Sequence, residues 1–389
     1  MAAARAYLDY NATAPLLDVA RDAMLAALDV AGNPSSVHQE GRAARRIIDV
    51  SRTHVAALVG AAAENVVFTS GATEAASTLL TPHWQFGRAP LAMSRLYVCA
   101  ADHPCTLSGG RFAPDQVVRI GVDAQGVILL DELSDALAVH DGSEGRPLVA
   151  VHLANNETGV IQPVAEIAAL VKGAGGVLVV DAVQAVGRLP LDISSGTADF
   201  LILSAHKLGG PKGVGAFVSA STLLMPVPLV RGGGQEKGHR AGTENVPGIA
   251  GFGAAAEAAA KALDTMADVR RLRDTAEAAL RDLAPDVVIY GAGAERLPNT
   301  FLFTIPGLKA ETALIGLDLA GVSVSTGSAC SSGKVGASHV LEAMGSAGAE
   351  GALRVSIGTA TTTAEIDRFL ASLHGLLARR TTMSVASAA

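Results

Sequence analysis

The sequence is poor in aromatic residues and cysteines and has no excess of positive charge. Aromatics make up 4% of its 389 residues, there is one tryptophan, and acidic side chains outnumber basic ones to leave a formal charge of −7. Direct nucleic-acid binding, which needs a basic face and commonly stacking rings, is therefore not expected. The three cysteines, Cys99, Cys105 and Cys330, are an odd number without metal-ligand spacing, so neither a disulfide framework nor a zinc or other metal site is expected. Cys99 lies inside an apolar run and reads as a small buried hydrophobe. Cys105 carries no assigned role. No apolar run reaches membrane-spanning length. The opening Met1-Ala2-Ala3-Ala4-Arg5-Ala6-Tyr7-Leu8-Asp9 lacks the apolar core of a secretory signal, so a cytoplasmic location is expected.

What is present is an ordinary globular balance, 49% apolar and 17% charged, at a length that fits two or three domains. Apolar, β-branched runs at 66–70, 96–100, 117–122, 148–153, 177–181 and 200–204 alternate with alanine-rich stretches. That alternation predicts an α/β fold with a mainly parallel sheet covered by helices. Unbroken apolar strands fit a sheet buried on both faces, and such sheets bind ligands at strand ends. From 248 to 283 the pattern becomes helical, with a break expected between two helices. Strands return at 301–305, 322–325 and 353–357, which predicts a smaller α+β unit. The tail from Arg379 reads as frayed.

Several polar residues stand at the ends of these runs. Lys207 closes Ser204-Ala205-His206-Lys207 after a strand and precedes Leu208-Gly209-Gly210-Pro211-Lys212-Gly213, a turn that leaves room for a bulky group. An amine so fixed suits a Schiff-base lysine. Asp181 ends the neighbouring strand, followed by Gln184. A carboxylate there suits pyridoxal phosphate, whose ring nitrogen must stay protonated for the ring to accept electrons. Phe68-Thr69-Ser70-Gly71-Ala72-Thr73-Glu74 reads as strand, turn and helix start, with free N–H groups and a positive dipole end for a phosphate.

With these motifs in order, the chain resembles the class V aminotransferase family of pyridoxal-phosphate enzymes, and within it the cysteine desulfurases. The likeness runs nearly end to end. It includes Tyr7-Leu8-Asp9-Tyr10-Asn11-Ala12-Thr13-Ala14-Pro15, Gly32-Asn33-Pro34-Ser35-Ser36-Val37-His38, Asp102-His103 and Asn155-Asn156-Glu157-Thr158-Gly159. It continues through Asp181-Ala182-Val183-Gln184, Arg231-Gly232-Gly233-Gly234-Gln235-Glu236, Arg240-Ala241-Gly242-Thr243-Glu244-Asn245 and Ser325-Thr326-Gly327-Ser328-Ala329-Cys330.

The resemblance implies the type I fold of pyridoxal-phosphate transferases. It has a large cofactor domain with a seven-stranded type of sheet at 15–260, and a small domain from 1–14 with 261–389. It implies that His103 stacks on the pyridine ring and moves a proton, a duty that suits its reference pKa of about 6.5. Asn155 and Gln184 would bond the ring's phenolic oxygen. Ala72, Thr73, Ser204 and His206 would hold the phosphate. Thr243 would reach the phosphate of a partner subunit, which implies a homodimer. Arg354 would grip the substrate carboxylate through its bidentate fork; an internal ion pair explains a buried arginine equally well. Asn33, with His38, would border the substrate.

Cys330 lies among small residues and glycines, which predicts a flexible loop. With a thiol carried there, the resemblance implies conversion of L-cysteine to L-alanine, with the sulfur held as a persulfide and passed to an acceptor protein such as an iron-sulfur scaffold. Two departures leave the acceptor open: Thr359 stands where many relatives have arginine, and Gly333, Lys334 and Gly336 replace bulkier residues. An aminotransferase or a selenocysteine lyase on the same scaffold would not need Cys330 for persulfide transfer. A non-catalytic sulfur-scaffold partner would not need Lys207, Asp181 and Cys330 together.

Overall fold

The computed structural model describes residues 5–327, 338–346 and 351–387, with side chains as far as 378. The apolar runs form a nine-stranded sheet. Its centre is parallel: Ala89–Cys99 lies between Val117–Ile120 and Arg146–His152, and Val177–Asp181 and Phe200–Ser204 follow. Gly215–Ser219 joins antiparallel and pairs on its other side with Val66–Thr69. These seven strands carry the site. At the far edge His83–Phe86 forms a hairpin with Ala89–Cys99, and Leu224–Pro226 pairs with it.

Alternation along the strands feeds two apolar layers. Leu178 and Val180 pack with Ile48, Val55 and Phe252 on one face. Val177 and Val179 pack with Ala75, Leu79 and Trp84 on the other. Helices Gln39–Leu58 and Val246–Ala262 cover the first face and helix Ala72–Leu79 the second. Because the central strands run the same way, their carboxyl ends, with Cys99, His152, Asp181 and Ser204, come together at one edge of the sheet.

A separate antiparallel sheet is built from Val288–Ile289, Thr300–Thr304, Leu353–Ser356 and Ser325–Thr326. Its core, with Phe301, Phe303, Val355 and Phe369, also takes in Ala6 and Leu8, while Ala6–Tyr7 pairs with Val322–Ser323. No helix among the described residues is long and apolar enough to cross a membrane.

The structure departs from the sequence expectations in three places. Gly215–Ser219 is a strand directly after the glycine run, where a turn hides it from any periodicity. The expected strand at 96–100 begins at Ala89 because Gly87, at φ 59°, closes the hairpin. The expected frayed tail continues the helix Thr363–Ser387, a stretch without glycine or proline between 379 and 387. The break between the two alanine-rich helices is present as the single turn Leu263–Thr265 between Val246–Ala262 and Met266–Leu283.

Candidate active site

Strand Phe200–Ser204 runs into one tight turn, Ala205–Lys207, which brings Lys207 to a cavity of about 640 Å³. Gly209, at φ +83°, makes the exit: a Cβ there would sit 2.6 Å from Leu17. The Lys207 Nζ donates to the carbonyls of Asn11 at 2.5 Å and Ala12 at 2.9 Å, so the N-terminal segment holds the amine at the cavity wall.

Ser70, Gly71, Ala72 and Thr73 line this cavity together with Ser204, His206 and Lys212. Helix Ala72–Leu79 starts here with no side-chain cap on Gly71, leaving its first N–H groups for an anion. The turn is braced from behind. Glu74 accepts from the Ser70 N–H at 2.9 Å and from Arg240 Nε at 2.9 Å. Gly215 lies so close to the turn that a Cβ would be 2.7 Å from the Gly71 backbone. Gly215→Ala is expected to push this turn out and weaken cofactor retention by about 1–3 kcal/mol, the usual cost of overpacking. Dialysis of the loaded protein followed by cofactor assay measures it, and full retention would show that the turn yields without cost.

Asp181 also lines the cavity, at the close of its strand, with Oδ1 accepting from the Val183 N–H at 2.9 Å. Burial pushes its carboxyl up to about 6, against that hydrogen bond, and the nearby Asp102 adds to the rise. A buried carboxylate in this condition fits a cation facing it. The residues therefore suit pyridoxal phosphate, since one cavity holds an anion cradle, an amine and a carboxylate for the ring nitrogen.

His103 caps the short helix Pro104–Leu107, and its Nδ1 accepts from the Cys105 N–H at 3.2 Å. Burial, with Lys207 and His339 nearby, holds it down to about 4, so the ring is neutral near neutral pH. His206, 3.2 Å from the Thr13 hydroxyl, is likewise held to about 4 by burial, Lys207 and Lys212. Cys105 lines the same cavity, but burial and Asp181 push its thiol up to about 12, which makes it inert.

The two histidines give the cofactor-free protein a definite pH dependence. Between about pH 6.5 and 4 the unfolded chain takes up protons that the folded histidines refuse, so their stabilisation is full above 6.5 and lost toward 4. Asp181, raised above its ordinary 3.8, contributes the opposite sign as pH falls through about 6. In the cavity two groups outweigh one, and outside it the lowered His239 opposes the raised Asp199 and Glu157. The denaturant midpoint is expected to be lower at about pH 5 than at about pH 7, with His206→Gln shrinking the difference. An equal midpoint at both pH values would contradict the neutral histidines.

Not every sequence-predicted residue reaches the cavity. Asn155 is buried in its own turn: Oδ1 accepts from the N–H groups of Glu157 and Thr158, and Nδ2 donates to Ala101 O at 2.9 Å. The adjacent Asn156 lines the cavity instead. Asn33 is exposed and closes a local turn by accepting from the Ser35 N–H, and His38 caps helix Gln39–Leu58. Thr243 is exposed, outside the cavity of its own chain. Arg354 is fully buried, donating to Asp9 Oδ1 at 2.8 Å and to Asn156 O at 3.0 Å, so the internal ion pair is the arrangement present; its Nε has no hydrogen-bond partner among the described residues. Gln184 lines the cavity, its Nε2 donating to Asn11 O and its Oε1 accepting from Arg188. Cys330 lies outside the described residues. Ser338, which follows that stretch, donates to buried Glu157 at 2.6 Å.

Residues 6–369 match the family model for aminotransferase class-V. The chain belongs to that family. Its enzymes work with pyridoxal phosphate, which the cavity suits. Among similar members, a cysteine desulfurase of Enterobacter agglomerans is 39% identical over 97% of this chain and 94% of its own length. One of Cereibacter sphaeroides is 41% identical over 94% of each. An IscS-like cysteine desulfurase of Mycobacterium tuberculosis is 36% identical over 98% and 99%. The solved structure of a NifS-like protein from Rickettsia africae superposes with a TM-score of 0.85 at 32% identity, covering 96% of this chain and 99% of that one. This class-V aminotransferase member thus shares both length and fold with them.

Proposed function

We propose that the protein is a pyridoxal-phosphate-dependent cysteine desulfurase, converting L-cysteine to L-alanine and taking the sulfur onto Cys330. The observation that carries this is the placing of Lys207 and Asp181 in one cavity with the uncapped helix start at Ala72, in a chain whose full-length relatives bear that name. Bound there, pyridoxal phosphate supplies an aldehyde for amines and a protonated ring that takes up an electron pair from Cα. Asp181 holds the ring proton, and the Ser70–Thr73 turn with Ser204 and His206 holds the phosphate. Lys207 takes the Cα proton of the substrate and returns a proton. Neutral His103 lines the same cavity; with Nδ1 taken by the Cys105 N–H its proton sits on Nε2, and it would stack on the ring and pass that proton. The Cys330 thiolate attacks the substrate sulfur: the S–S bond forms as the C–S bond breaks, and the carbon takes a proton to give alanine.

Arg354 is the residue for the substrate carboxylate, exchanging Asp9 for it, and Gln184, which lines the cavity, is the amide beside the cofactor. We place the large unit at 15–260 and the small one at 1–14 with 261–389, supported by an apolar core built only from Ala6, Leu8 and residues between Val269 and Leu373. The working form is a cytoplasmic homodimer in which Thr243 meets the partner's phosphate, and an acceptor protein such as an iron-sulfur scaffold takes the sulfur.

Incubation with L-cysteine and intact-mass measurement tests this: one added sulfur is expected, mapped to Cys330, with alanine in solution. Sulfur on another residue, or no alanine, would reject the reading. Cys330→Ser is expected to keep the bound cofactor's visible band and lose sulfide release; unchanged release would place the chemistry elsewhere.

A further inference from the structure

Beneath the cofactor cavity lies a buried network that the reaction above does not use. Asp102 is fully buried, and its carboxylate accepts from the N–H of Cys99 at 3.0 Å, the N–H of His152 at 2.8 Å and the His152 Nδ1 at 2.5 Å. The other ring nitrogen of His152, Nε2, is 3.1 Å from Gln162 Nε2. The orientation of Gln162 is fixed by its partners: its Oε1 accepts from the Ile128 N–H at 2.9 Å, and its amide nitrogen donates to Gly126 O at 2.9 Å. The Gln162 group facing His152 is therefore an N–H donor, and His152 Nε2 must accept. The proton of His152 sits on Nδ1 and is given to Asp102. A second proton on Nε2 would set two donors face to face.

His152 lines the cavity and is the register partner of Asp181 on the adjacent parallel strand, so the two side chains share one face of the sheet. We propose that Asp102 and His152, locked by Gln162, are positioning residues that hold the proton on the ring nitrogen facing Asp181. This rests on the reading of Asp181 as that nitrogen's partner. A buried negative charge one strand away favours keeping a proton at its neighbour. The Asp102 charge pushes Asp181 in that direction, whereas a charged His152 and Lys207 would oppose it. Gln162 keeps the opposing proton off His152. Cys105, whose thiol Asp181 also acts on, stays neutral.

The test uses holoenzyme loaded with pyridoxal phosphate labelled with nitrogen-15 in the ring, whose chemical shift reads ring protonation directly, without turnover. Asp102→Asn removes the charge. His152→Phe fills the same space without the Nδ1 donor. Each is expected to lower the pH at which the ring nitrogen loses its proton by about one unit, a tenfold loss in proton affinity. Asp181→Asn separates the two ideas. If it leaves ring protonation at the wild-type value, the reading of Asp181 fails. If it strips the proton while Asp102→Asn and His152→Phe do not, the role of the pair is overturned and that of Asp181 stands. The unmutated protein gives an independent answer if a variant does not fold: nitrogen-15 shifts of His152 are expected to show the neutral ring protonated on Nδ1. A ring protonated on Nε2, or on both nitrogens, near neutral pH overturns the proposal.

Discussion

Lys207→Ala is expected to cut alanine formation from L-cysteine by about 10²- to 10⁴-fold, the range that a positioned proton-transfer group supplies. The amine is held by the carbonyls of Asn11 and Ala12 at the turn that ends its strand. Its removal leaves the strand, the Gly209 turn and both apolar layers in place, so the fold and the phosphate turn are expected to survive. The loss is chemical, because His103, though neutral, caps its own helix and does not share the Lys207 position. Borohydride reduction of the loaded protein provides the second measurement. In the wild type it fixes the cofactor on the peptide containing residue 207; in the variant no peptide carries it. Wild-type turnover in Lys207→Ala, or a label mapped to another lysine, would sink this assignment.

The second large effect concerns stability. Arg52→Ala is expected to lower the unfolding free energy by about 3–5 kcal/mol, the cost of leaving one half of a buried ion pair unmatched. Arg52 meets both oxygens of Glu236 at 2.7 Å, donates to Val66 O at 2.6 Å, and lies 4.9 Å above the Phe68 ring. Glu236 also accepts from the Phe68 N–H. The pair ties the segment that leads to Thr243 onto the strand that leads to the phosphate turn. It also holds Glu236 and Lys237 at φ 48° and 55°, a region costly for such residues. Cutting it is expected to release that segment, so loss of cofactor affinity accompanies the loss of stability. Denaturant unfolding of Arg52→Ala measures the first; a change below about 1 kcal/mol would mean that the pair behaves like a solvated surface bridge.

How far the site could be read from sequence depended on whether a residue's direction is set locally. Lys207, Asp181 and Thr73 each end or begin a regular element, so periodicity alone places them at the edge of the sheet where they are found. Asn155 and Asn156 are adjacent, and the turn decides which faces in. The amide of the first is consumed in capping Glu157 and Thr158, a local competition that composition does not reveal. Arg354 was legible as a buried cation in an apolar strand, but its partner Asp9 comes from the other end of the chain. Asn33 and Thr243 carried no periodic signal, and neither reaches the cavity of its own chain.

The alternation of strands and helices, the buried character of the central sheet and the gathering of Lys207, Asp181 and the Ala72 helix start at one edge are written in the chain's local pattern. They follow from hydrophobic period and from chain breaks, which act over a few residues. The meeting of Asp102, His152 and Gln162, the clasp of Arg52 on Glu236 and the packing of Ala6 and Leu8 in the second core came from the folded arrangement alone. Those contacts join residues from different elements, and strand register and packing alone fix which side chains face each other.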